Sequence, residues 1–161
     1  MMNNLKILFF LLVAAIIVPN EVMAEEETQS EHPSELEHRH SVAFFMGNTH
    51  DGSEDGFSVG LDYEYRLSET NGIGGLIEYA SGELDSWVVA APLFIYPYKG
   101  LRLLVALGFE YGHSEAEFLV RTGIAYEFEM GERWTITPEF NVDFVDSDEK
   151  FVYGIEFGYG F

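Results

Sequence analysis

The chain has 161 residues, no cysteine, and a formal charge of −20 from 28 acidic and 8 basic residues. The missing cysteine excludes a disulfide framework and a lipid-attachment thiol, and the charge excludes a nucleic-acid partner, because no basic patch is available to neutralise phosphates. Disorder throughout is excluded as well, since 47% of the residues are hydrophobic and 16% aromatic, enough apolar surface to drive folding outside the N-terminal tail.

Residues 1–24 read as a secretory signal peptide. Lys6 supplies the positive region, Ile7 to Val18 the apolar region, and Val22-Met23-Ala24 a small-residue cleavage site. The apolar run is about 12 residues, short of the ~20 that a spanning helix needs. Residues 25–40 read as an acidic disordered tail. They are rich in Glu and nearly free of apolar residues, so they cannot bury a core. His32, His38 and His40 match no closed metal-site spacing.

From Ser41 onward the hydrophobic period is two, the strand period. The first predicted strand, 41–48, places Val42, Phe44 and Met46 on one face, with Phe45 breaking the other. The second, 56–67, sets Phe57 through Leu67 at odd positions against Ser58, Gly60, Asp62, Glu64 and Arg66. The third, 72–82, alternates more weakly, with Ile73, Ile77 and Tyr79 on one face. The fourth, 86–96, is apolar on both faces; Trp87, Val89, Ala91, Leu93 and Ile95 form the expected outer set. Pro92 is a misfit there, because proline gives up a ladder hydrogen bond.

The fifth strand, 101–112, opposes Leu101, Leu103, Val105, Leu107, Phe109 and Tyr111 to Arg102, Ala106, Gly108 and Glu110. The sixth, 117–130, opposes Phe118, Val120, Ile124, Tyr126, Phe128 and Met130 to Arg121, Gly123, Ala125, Glu127 and Glu129. The seventh, 134–145, opposes Trp134, Ile136, Phe140, Val142 and Phe144 to Thr135, Thr137, Glu139, Asn141 and Asp143. The eighth, 150–161, carries an unbroken row of Phe151, Tyr153, Ile155, Phe157, Tyr159 and Phe161 against small or polar partners.

Eight strands joined by short turns predict an all-β, antiparallel up-and-down barrel, residues 41–161, with strands near the ~9–11 residues that cross a bilayer at a tilt. Alternation alone leaves open which face is outside. A soluble lipocalin-like ligand binder would turn the apolar face inward; a membrane barrel turns it outward. Three features select the membrane. The polar face mixes charge with Gly and Ala. Trp87, Tyr96, Tyr111, Trp134, Tyr159 and Phe161 sit at strand ends, where interfacial belts form. The sequence runs to its last residue on the aromatic row.

This pattern resembles the small eight-stranded outer-membrane β-barrel proteins of Gram-negative bacteria, the OmpX-like and OmpA-transmembrane-like class. The resemblance rests on the signal peptide, the strand count, the alternation and the terminal Phe161. Phe161 and Tyr159 fit that class's C-terminal assembly signal; Glu156 stands where a glycine is usual. The resemblance implies Sec export to the cell outer membrane, a periplasmic N-terminus, periplasmic turns near 68–71, 97–100 and 131–133, and external loops near 49–55, 83–85, 113–116 and 146–149. Its implied partners are outer-membrane lipid, lipopolysaccharide and the barrel-assembly machinery, the last through the C-terminal strand.

An eight-stranded barrel is just wide enough for its own side chains to fill it. The inward set pits Arg66, Arg102 and Arg121 against Asp62, Glu64, Glu78, Glu110, Glu127, Glu129, Glu139, Asp143 and Glu156. An ion-paired plug is expected; a narrow, porin-like, cation-selective pore is the alternative. Lipid A-modifying chemistry is a weaker alternative. His113-Ser114-Glu115 has the residue types, but adjacent strand residues point to opposite faces. Asp51-Gly-Ser-Glu-Asp-Gly56 mimics a calcium loop in letters only, since no flanking helices are expected. Divalent cations at the acidic loops (Asp51, Glu54, Asp55, Glu83, Asp85, Asp146, Asp148 and Glu149) are candidate partners shared with lipopolysaccharide phosphates. The expectation is a non-enzymatic barrel with a structural, membrane-integrity or surface-interaction role. No catalytic, cofactor-binding or metal-ligating residue is assigned.

Overall fold

The computed structural model describes residues 38–112, 115–146 and 148–161. The signal peptide, all but the end of the acidic tail, and His113 and Ser114 lie outside the described residues. Nine strands follow one another: β1 (His40–Asp51), β2 (Glu54–Arg66), β3 (Asn71–Ala80), β4 (Ser86–Tyr98), β5 (Leu101–Gly112), β6 (Glu115–Tyr126), β7 (Phe128–Met130), β8 (Trp134–Val145) and β9 (Asp148–Gly160). Every pairing is antiparallel, and β6 and β7 are two halves of one barrel strand: both pair with β8, interrupted at Glu127. The sheet closes on itself because β1 pairs with both β2 and β9, and β6 with both β5 and β8. The result is the expected eight-stranded up-and-down barrel, whose full-length strands each pair on both sides.

At the first hairpin the strands are longer and the loop shorter than the sequence suggests. β1 and β2 continue to the pair Asp51–Glu54, so the hairpin tip is only Gly52 and Ser53. Gly52 has a φ of 59°, the left-handed conformation such a tip demands. Asp146, φ 51°, takes the same conformation at the tip before β9; a short polar side chain tolerates it.

Pro92 finds a place through its neighbour. The β3–β4 ladder pairs Asn71–Ile73 and resumes at Leu76; between these, Gly74 and Gly75 face the Ala91–Pro92 step without a ladder partner. The lapse in pairing falls where proline has removed a donor.

The faces divide as the alternation requires. Phe44, Leu61, Ile77, Leu107, Phe157 and their even or odd companions are exposed on the outer wall, while Arg121, Asp143, Glu78 and Glu156 are buried inside. This is inside-out relative to a soluble protein, whose charged residues are almost never buried unless paired. Among the described residues no helix is long and apolar enough to cross a membrane.

Candidate functional site

The lumen is the part of the molecule with chemistry, and its charges form tiers along the barrel axis. At the end away from His40 and Phe161, Lys150 Nζ reaches Glu110 at 2.8 Å and Asp51 at 3.2 Å. Beside it, the Thr49 and Ser58 hydroxyls are bonded at 2.7 Å. In the middle tier, Arg121 donates from Nε and Nη2 to the two oxygens of Asp143, at 2.6 and 2.7 Å, and from Nη1 to Glu78 at 2.7 Å. The β6–β8 ladder places Arg121 directly opposite Asp143, so the fork forms across one pair of strands. Such bidentate, charge-assisted contacts are the strong kind.

The next tier is held by Arg102, which donates from Nη2 to Glu156 at 2.6 Å and to Glu139 at 3.0 Å. Asn141 donates to the other Glu139 oxygen at 3.0 Å. Asp62 lies within electrostatic reach of both Arg102 and Arg121. At the end of His40 and Phe161, Arg66 stacks 3.8 Å over the Tyr96 ring and donates to Glu127 at 3.3 Å. The Tyr96 hydroxyl donates to Glu64 at 2.7 Å. Carboxylates outnumber cations in this set, but most find an arginine or a neutral donor. Arg121 and Asp143 are each 2% exposed, so the mid-lumen is filled by side chains and closed to bulk water.

One wall of the lumen is apolar. Leu76, Val88, Phe94, Leu104, Leu119 and Val145 form a single buried cluster. β4 is the spine of that wall, and it carries no charged residue. Across the lumen Phe45 is 1% exposed. Its ring covers the floor made by Gly47 and Gly154, where an added Cβ on either would come within 2.6 Å of ring carbons. The inward glycines therefore exist to admit a large ring. This resolves the apparent defect of Phe45 in the alternation.

The ion-paired filling expected of the lumen is present, alongside an apolar cluster. The structure also corrects several expectations. Tyr96 does not belong to the interfacial belt: it points inward, is 8% exposed, and holds Glu64. The other five belt residues do face outward; Trp87 pairs with Tyr79 and Trp134 with Tyr159, each at 4.9 Å between centroids. The sixth strand, expected as one piece over 117–130, breaks at Glu127. Glu129, expected inside, is exposed at the open mouth. Sequence reasoning missed the Lys150–Glu110 pair; the signal for it was the even-numbered, inward register of Lys150 beside Val152 and Glu156. The calcium-loop mimic is a tight hairpin whose Asp51 is held by Lys150. Among the described residues no group of three or more His, Asp or Glu side chains is placed to hold a metal ion.

Fold and lumen together define the class as a small eight-stranded barrel of the transmembrane type. Neither a family model nor a curated protein sequence matches the chain. Solved structures do. The N-terminal β-barrel domain of Pseudomonas aeruginosa OprF superimposes with a TM-score of 0.57 at 13% identity, covering 75% of this chain and 97% of that one. The Yersinia pestis outer membrane protein Ail in a phospholipid bilayer nanodisc gives 0.55 at 13% identity, covering 78% and 100%. A de novo designed transmembrane β-barrel gives 0.52 at 15% identity, covering 73% and 94%. At these identities the likeness is one of fold.

Proposed function

We propose that the chain is a Sec-exported outer-membrane barrel without enzymatic activity, its N-terminus periplasmic, whose role is structural: it occupies and stabilises the membrane rather than catalysing a reaction. The observation that carries this is the inverted partition of side chains. A continuous apolar outer wall needs a hydrocarbon solvent, and the buried Arg121, Asp143 and Glu78 fill the mid-lumen with ion-paired side chains. Outer-membrane lipid and lipopolysaccharide are the partners this wall fits, and the terminal strand is the segment an assembly machinery would meet. The short tips favour membrane integrity over surface adhesion. The Gly52–Ser53 tip and the 81–85 turn present little area against the ~800 Å² per partner of a standard protein interface.

The excess of lumen carboxylates supports a second reading, a narrow cation pore. The two readings separate in one preparation. The purified barrel should show heat-modifiable gel mobility and resist carbonate extraction, and in planar bilayers it should give no steady conductance. Steady, cation-selective current would replace the first reading with the second; identical mobility before and after boiling, with loss to carbonate, would remove both.

A further inference from the structure

The rim that carries His40 and Phe161 is not regular. The β4–β5 ladder shifts register between Ile95 and Tyr98, and the neighbouring barrel strand breaks at Glu127. The break is tied to the β4–β5 turn by one bond, in which the Glu127 N–H donates to the Gly100 carbonyl at 2.6 Å. There a cleft of about 890 Å³ opens, within the range of small-molecule sites.

The lining of the cleft is unlike the rest of the barrel. Arg66, Tyr96 and Glu127 reach it from the lumen side, whereas Tyr126 and Phe128 belong to the outer, membrane-facing wall. The cleft therefore joins the barrel mouth to the lateral surface. It offers both signs of charge: Arg66 and Lys99 on one hand, Glu69, Glu127 and Glu129 on the other. Lys99 and Glu129 are exposed. The bonds described for Arg66 engage Nε and Nη2. Tyr126 and Phe128 pack ring to ring at 4.8 Å between centroids, a greasy flank beside the charged mouth.

The geometry points to a binding site for a phospholipid whose headgroup carries both a phosphate and a primary amine. The phosphate would lie on Lys99 and Arg66, the ammonium on Glu129 and Glu127, and an acyl chain along Tyr126 and Phe128. A purely anionic headgroup would leave the three carboxylates facing like charge. A quaternary amine would have no N–H to donate to them. The assignment rests on the membrane reading above, which puts this rim at the headgroup level of the periplasmic leaflet.

The test uses the barrel refolded in detergent micelles, with heat-modifiable mobility verified first. Short-chain phosphatidylethanolamine, phosphatidylglycerol, phosphatidylcholine and free phosphoethanolamine are titrated in, and retained molecules are counted by native mass spectrometry. One phosphatidylethanolamine per barrel is expected, held about tenfold more tightly than the other two lipids, the scale of one charge-assisted hydrogen bond. Lys99→Gln and Glu129→Gln should each weaken it by about tenfold without altering mobility, since both side chains are exposed. Equal retention of the three lipids, or variants that bind as the parent does, would overturn the site. Free phosphoethanolamine binding as tightly as the lipid would overturn the lipid as its source. A barrel that is not heat-modifiable fails at the first step and overturns the membrane reading instead.

Discussion

Arg121 and Asp143 face each other across the β6–β8 ladder and are joined by two parallel bonds of 2.6 and 2.7 Å. Glu78, on the far side of the lumen, takes the third arm of the same guanidinium. One side chain thus ties β3, β6 and β8 together at mid-barrel. Removing it with Arg121→Ala leaves two carboxylates buried without a counter-charge. Breaking a buried pair in this way costs about 3–5 kcal/mol, and urea unfolding in micelles followed by Trp fluorescence should register a loss of that size. The triple variant Arg121→Met, Glu78→Gln, Asp143→Asn should recover part of it. A loss under about 1 kcal/mol, the scale of an exposed pair, would mean that water reaches this tier.

The two kinds of glycine in the barrel should respond unequally to a methyl group. At Gly154 an added Cβ meets the Met46 carbonyl, and the Phe45 ring at 2.6 Å. Gly154→Ala should therefore cost about 1–3 kcal/mol, the usual penalty for overpacking. At Gly75, on the outer wall, nothing lies within 4 Å of the added atom. Gly75→Ala should stay within about 0.5 kcal/mol of the parent, as surface substitutions do. Matched unfolding curves of the two variants test the packing account, and equal effects would contradict it.

Charge on the outer wall tests which solvent the wall meets. Ile155 is exposed and lies mid-strand, paired with Met46 and Pro138. In a bilayer, Ile155→Arg should cost about 2–4 kcal/mol, as for arginine at the midplane of a transmembrane barrel. In a water-soluble barrel the same change would be close to neutral. Reversible unfolding from lipid vesicles measures the difference directly.

The seam between the first and last strands predicts the effect of shortening the chain. The His40 N–H donates to the Phe161 carbonyl at 3.2 Å, and the Phe161 N–H to the His40 carbonyl at 2.8 Å. The two rings stack at 5.6 Å. Deleting Phe161 removes both bonds and the stack, together worth on the order of 2 kcal/mol, at the last point where the barrel closes. The truncated protein should accumulate as unfolded, non-heat-modifiable material in the periplasmic fraction. Normal insertion would show that the seam closes without its terminal aromatic residue.

The alternation of residues decided a great deal by itself. In β9, Phe151, Tyr153, Ile155, Phe157, Tyr159 and Phe161 could share a face only as a strand, and eight such segments with short connections leave few topologies other than a meander. The strand period also determined which residues go together: the inward rank of Arg102, Arg121, Glu139, Asp143 and Glu156 is a matter of parity. Tertiary structure decided what parity cannot carry. Arg102 lies 37 residues from Glu139 and 54 from Glu156, and only the registers of a closed barrel bring the three together. Tyr96 sits at a strand end like the belt aromatics, but its parity turns it inward, where Glu64 and Arg66 give it partners. The break at Glu127 has no strong local signal; its N–H bonds the Gly100 carbonyl in the turn of a different hairpin. Periodicity is a local property of the chain, set by the pleat of each strand. Pairing partners, the apolar wall along β4 and the open rim follow from how strands of unequal regularity are forced to meet when the sheet closes.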